Sequence, residues 1–107
     1  MAATTKVAAI AQLTAADGKR DELVAVLRDL VKAVGDGEPD TLVYAMHTDD
    51  ADETTVWFYE LYASANAAAA HSKGSALREI GSRLAGLVAG PPVVHRLSPQ
   101  AAHGLSL

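Results

Sequence analysis

The chain has 107 residues, no cysteine and a formal net charge of −4. This length fits one domain. The absence of cysteine excludes a disulfide framework, thiolate chemistry and a zinc–thiolate site, and the scattered Lys and Arg argue against nucleic acid as a partner, because phosphate binding needs clustered positive charge. Half of the residues are hydrophobic, but many are alanine, so the core volume is modest and extra burial through self-association is favoured. The opening MAATTK has no apolar h-region and no apolar run approaches ~18 residues, so the expected setting is the cytoplasm, away from membranes.

Residues Lys6 to Thr14 (KVAAIAQLT) are short, mostly apolar and poor in turn formers, and read as a first strand. Asp17-Gly18 breaks it, with Asp17 a fair N-cap for the next element. Leu23, Leu27, Leu30, Val31 and Val34 recur at spacings of three and four. Arg20, Asp21, Arg28, Asp29 and Lys32 take the other face, which predicts an amphipathic helix of about four turns. Gly35 and Gly37 end it. Glu38-Pro39-Asp40-Thr41 reads as a turn and Leu42 to Thr48 as a second strand. A third strand, Thr55 to Tyr62, joins it in a hairpin through the acidic loop 49–53. Ser64 caps a helix through Ala70, where alanine propensity is high. Gly74 interrupts it, and Ser75 caps another helical piece with Leu77, Ile80 and Leu84 inward. Pro91-Pro92 precede a fourth strand, Val93 to Leu97, since proline is tolerated at a strand's start or edge. The single domain has its core at about residues 6–97, and 98–107, without periodicity, reads as a mobile tail.

The order β-α-β-β-α-β is the ferredoxin-like α+β pattern, an antiparallel sheet with helices on one face. The third strand is apolar or aromatic on both sides, with Trp57, Tyr59 and Leu61 on one and Val56, Phe58, Glu60 and Tyr62 on the other. A sheet with one wet face alternates more cleanly. A second copy of the chain is the expected cover, giving a homodimer.

The segment Glu38 to Ser72 holds all five aromatic residues: Tyr44, Trp57, Phe58, Tyr59 and Tyr62. It also holds His47, His71 and, inside an aromatic strand, Glu60. An ionisable group there is costly to bury without a partner, so these aromatics are expected to line a site. Four pieces, KVAAIAQLTAADGKRDEL, EPDTLVYAMH, VWFYELYAS and AAAAHSKG, together resemble the antibiotic biosynthesis monooxygenase superfamily of small dimeric α+β barrels. The signals are Glu-Pro-x-Thr, then an aromatic-Tyr-Glu-x-Tyr strand, then Ala-His-Ser, and the resemblance runs from about Lys6 to Leu97. It implies oxidation of quinols or polycyclic phenols by molecular oxygen without metal or flavin. The haem-degrading branch resembles the chain less. That branch carries an Asn on the first strand, a Trp at the end of the helix after the third strand and a later His ligand. Here Ala11-Gln12 and His71 stand at the first two places, and Ser75 to Leu84 contains no His.

Cofactor-free oxygenation needs a base, a group that orients it and a dry aromatic pocket. His71 is the leading base because imidazole titrates near neutrality; its alternative role is structural, capping a helix end or bonding Glu60. Glu60 is expected either to orient His71 or to form a salt bridge with Arg96 or Arg83. Tyr44, Trp57, Phe58 and Tyr62 are expected to contact a small aromatic substrate, with packing in the core or a dimer interface as the other reading of Trp57 and the tyrosines. His47 is a secondary candidate. His95 and His103 lie on the last strand and in the tail. Asp49, Asp50, Asp52 and Glu53 lack the calcium-loop pattern and read as a solvated loop. No metal-ligand spacing or phosphate loop occurs, so no metal or cofactor is expected, and Ser72 and Ser75 beside His71 do not make a triad. The preferred function is a cofactor-independent monooxygenase; the alternative is a non-catalytic dimeric module of the same fold.

Overall fold

The computed structural model describes residues 5–107. The elements are β1 (Val7–Thr14), α1 (Arg20–Gly37), β2 (Thr41–Thr48), β3 (Thr55–Tyr62), α2 (Ala65–Lys73), α3 (Ser75–Gly81) and β4 (Val93–Leu97). Every strand pair is antiparallel and the sheet order is β2-β3-β1-β4. This is the ferredoxin-like α+β architecture that the element order predicts.

The stripe Leu23, Leu27, Leu30 and Val34 of α1 is at most 2% exposed. It packs against Val56 and Phe58 of β3 and Ala11 of β1, and each such side chain contributes roughly 1.5–3 kcal/mol by leaving water. Strand parity decides what else shares that inner face. Across the sheet, Tyr44 stands opposite Glu60, Glu60 opposite Ala9, and Ala9 opposite Arg96. The outer face carries Val43, Ala45, His47, Trp57, Tyr59, Leu61, Ile10 and His95.

Several element ends differ from the sequence reading. Asp17 does not cap α1. Gly18, at φ +72°, completes a turn in which the Lys19 N–H donates to the Ala16 carbonyl at 2.9 Å; a side-chain-bearing residue resists that backbone. Lys19 then takes the cap position without a side-chain bond. Gly35 and Gly37 lie inside α1, and Glu38 is its C-cap, its N–H donating to the Val34 carbonyl at 2.9 Å. Ser64 does cap α2, its hydroxyl accepting from the Ala67 N–H at 3.1 Å. However, α2 continues through Lys73, three residues past Ala70, which puts His71 in its last turn. Gly74, rather than Ser75, stands at the cap of α3. Leu84 follows α3 but still packs against the core.

The acidic loop is internally bonded. Asp49 accepts from the N–H groups of Ala51 and Asp52 at 2.8 and 3.0 Å and from the Trp57 indole at 2.8 Å. Asp52 accepts from Thr54 and Thr55. Among the described residues no group of three or more His, Asp or Glu could hold a metal ion, and no helix is long and apolar enough to cross a membrane.

Candidate active site

A cavity of about 360 Å³ lies between the inner face of the sheet, the helices and the segment leading into β4. It has room because β1 places Ala9 and Ala11, bare methyl groups, at two successive inner-face positions before Leu13, where larger residues would meet the helices. Leu27 and Leu30 form one wall, and Tyr44, Phe58, Tyr62 and His71 form another. Such a volume with few polar groups suits a small aromatic ligand.

His71 reaches this cavity from the last turn of α2. The alanines before it let the helix sit close to the sheet, and Ala68 and His71, three residues apart, are its buried positions. The His71 side chain is only 6% exposed. Its Nδ1 lies 2.7 Å from Oε1 of Glu38, the residue that terminates α1. A carboxylate only accepts, so Nδ1 carries the hydrogen, and in the neutral imidazole Nε2 is the atom left with a lone pair. Thr41 donates its hydroxyl to the same Glu38 oxygen at 2.9 Å. The second oxygen, Oε2, is buried without a partner among the described residues. The imidazole is flanked by the rings of Tyr44 and Tyr62, with centroids at 4.9 and 5.5 Å, and Tyr44 in turn meets Phe58 at 4.8 Å.

Glu60 also lines the cavity and is buried, but its partner is the Tyr62 hydroxyl, which donates to Oε1. The two residues are neighbours on one face of β3, two positions apart. Burial first, and then the Glu60 bond, pushes the Tyr62 hydroxyl far above its ordinary pKa; burial, then the charge of Glu60, does the same to Tyr44. Both stay neutral donors at physiological pH. Because the folded state holds these protons longer than the unfolded chain, their stabilisation is complete below the ordinary tyrosine pKa of about 10 and declines as pH rises beyond it. Thermal melts taken from about pH 8 to about pH 11 should therefore show a falling Tm, with a shallower fall in Tyr44→Phe. An identical slope in the variant would show that Tyr44 does not carry the effect.

Of the residues singled out in the sequence, His71, Glu60, Tyr44, Phe58 and Tyr62 meet at this cavity. The direct Glu60–His71 pair does not form, since Glu38 takes the imidazole and Tyr62 takes Glu60. Glu60 makes no salt bridge either: Arg83 pairs with Asp29 at 2.8 Å, and Arg96 has no ion pair among the described residues. Trp57 and His47 lie outside the cavity. They stand opposite each other on the outer face, where odd-numbered positions of β3 and β2 must point, and the Trp57 indole is held by Asp49. In the sequence Glu38 reads only as a turn residue, although the Glu-Pro-x-Thr and Ala-His-Ser pieces that hold this pair are both visible there. Nor does alanine at alternate positions of β1 announce a cavity in the sequence.

The family profile for antibiotic biosynthesis monooxygenases matches residues 6–82. Among solved structures, a Caulobacter crescentus protein bearing that family's name is 28% identical, with 92% of each chain covered and a TM-score of 0.85. A Pseudomonas aeruginosa protein is 25% identical over 94% of this chain and 100% of its own, with a TM-score of 0.81. A Nitrosomonas europaea protein at 17% identity, covering 97% and 99% of the two chains with a TM-score of 0.85, shares the fold. No curated protein matches the chain.

Proposed function

Because the chain belongs to the antibiotic biosynthesis monooxygenase family, we propose that it is a cytoplasmic, cofactor-independent monooxygenase that oxidises a small aromatic phenol or quinol with molecular oxygen. The observation that carries this reading is the Glu38–His71 pair, 2.7 Å apart, at an aromatic-walled apolar cavity. His71 Nε2 removes the phenolic proton. Glu38 holds the imidazole in the tautomer that makes this possible. Tyr44, whose hydroxyl has no hydrogen-bond partner among the described residues, is placed to donate to the substrate oxygen. The phenolate gives one electron to oxygen, and the two radicals join as a ring peroxide. Proton return from the imidazolium and loss of the ring hydrogen release water and leave a quinone, so one oxygen atom is retained and the other departs as water. Leucine and aromatic walls keep bulk water from the peroxide. A panel of hydroquinones and polycyclic phenols with oxygen uptake as the readout tests the proposal. Ligand binding without any uptake across the panel would favour a non-catalytic binding module.

The proposal includes a homodimer. Trp57, Tyr59, Ile10 and Val43 are only half-buried on the outer face, and Val93 and Leu97 of β4 are 49% and 39% exposed. A contiguous apolar face of this kind is what a second copy of the chain would cover. Sedimentation should give a dimer at micromolar concentration, with an interface above roughly 1,000 Å². A monomer would overturn this part of the reading.

A further inference from the structure

The inner face of the sheet carries one lateral row: Tyr44 on β2, Glu60 on β3, Ala9 on β1 and Arg96 on β4. All four residues line the cavity. Ala9 is the smallest member and sits between the two charged ones, so nothing from β1 separates them. Glu60 and Arg96 nevertheless do not pair. Glu60 is buried and bonded to Tyr62, whereas Arg96 is exposed at the cavity's open side and has no ion pair among the described residues. Arg96 is the one Lys or Arg among the lining residues. The site is therefore polar at two ends, with acceptors and a tyrosine donor inside, a guanidinium at the mouth and apolar walls between.

We propose that Arg96 selects aromatic substrates bearing a carboxylate at the end opposite the phenol. This deepens the reading of the cavity as a phenol site and rests on it. A carboxylate matches the planar fork of a guanidinium. The inner end is lined by Glu60 and His71, whose acceptor atoms suit the hydroxyl of a phenol better than a second carboxylate, so the ligand has one favoured orientation. Two strand spacings separate Glu60 from Arg96, about 10 Å between backbones, a span suited to a fused two-ring acid rather than a single ring.

The test compares 6-hydroxy-2-naphthoate with 2-naphthol by titration calorimetry and by amide chemical-shift mapping, both without turnover. The acid should bind about tenfold more tightly than the neutral compound, as expected for one partly exposed charge-assisted contact. Both should shift the resonances of Ala9, Ala11 and Tyr44. Arg96→Gln should abolish the acid's advantage, and Arg96→Lys should retain part of it. If 2-naphthol binds and the acid binds no better, or if the preference survives in Arg96→Gln, the role of Arg96 is overturned while the phenol site stands. If neither compound shifts the cavity resonances, the phenol-site reading fails and this proposal with it.

Discussion

His71→Ala should lower turnover of an active phenol or quinol by about 10²-fold, the low end of what one general base supplies. The effect is expected in kcat more than in KM, because the imidazole acts on the proton in flight rather than on binding. The fold should survive, since alanine is favourable in a helix and α2 is already alanine-rich. Some stability should nevertheless be lost. The Glu38 carboxylate, with a side chain 18% exposed, would keep only Thr41 as a donor, and a buried acceptor without its partner costs about 1–3 kcal/mol. His71→Gln separates the two effects. Its amide can still donate toward Glu38 but cannot take up a proton, so it should show the same activity loss with a smaller drop in Tm. Turnover within about threefold of wild type in both variants would remove His71 from the chemistry.

Glu38→Gln should lower turnover by about tenfold through a different route. The carboxylate only accepts, so it holds the hydrogen on Nδ1; an amide can donate as well and permits the opposite ring tautomer. The Nε2 lone pair would then be present only part of the time. Nitrogen-15 spectra of the imidazole should report one tautomer in the wild type and a mixture in Glu38→Gln, a change that loss of mere packing would not produce. The double variant Glu38→Gln with His71→Ala should be no slower than His71→Ala alone, because two residues acting through one proton transfer are not additive. Independent, multiplying losses would place Glu38 in some other role. Aspartate at position 38 would keep the charge but fall short of Nδ1, so Glu38→Asp is expected to lie near Glu38→Gln rather than near wild type.

The element order and the architecture were legible in the sequence because their signals are local. A helix repeats every 3.6 residues and a strand every two, so Leu23, Leu27, Leu30 and Val34 declare one buried stripe wherever the rest of the chain goes. The same parity separates Phe58, Glu60 and Tyr62 from Trp57, Tyr59 and Leu61. It also places His47 opposite Trp57 on the outer face, once the register between β2 and β3 is known. Element ends were less legible, because a cap depends on which donors remain unpaired after the chain has turned. That is why Asp17 lost its place to Lys19 and α2 ran on to include His71.

The partners of the charged groups were decided by tertiary structure alone. His71 had two buried carboxylates within reach of a plausible fold, and composition favoured Glu60, its neighbour in the aromatic segment. The choice fell to Glu38, 33 residues away in sequence, because the end of α1 lies beneath the last turn of α2. Glu60 was already satisfied by Tyr62, two positions along the same strand face. Hydrogen bonds form over about 3 Å, and no spacing rule along a chain resolves distances that fine between separate elements. The cavity has the same origin. Alanine at positions 9 and 11 reads as weak core in a sequence; it becomes a hollow only when α1 and α2 are held over it by the leucine stripe and the sheet.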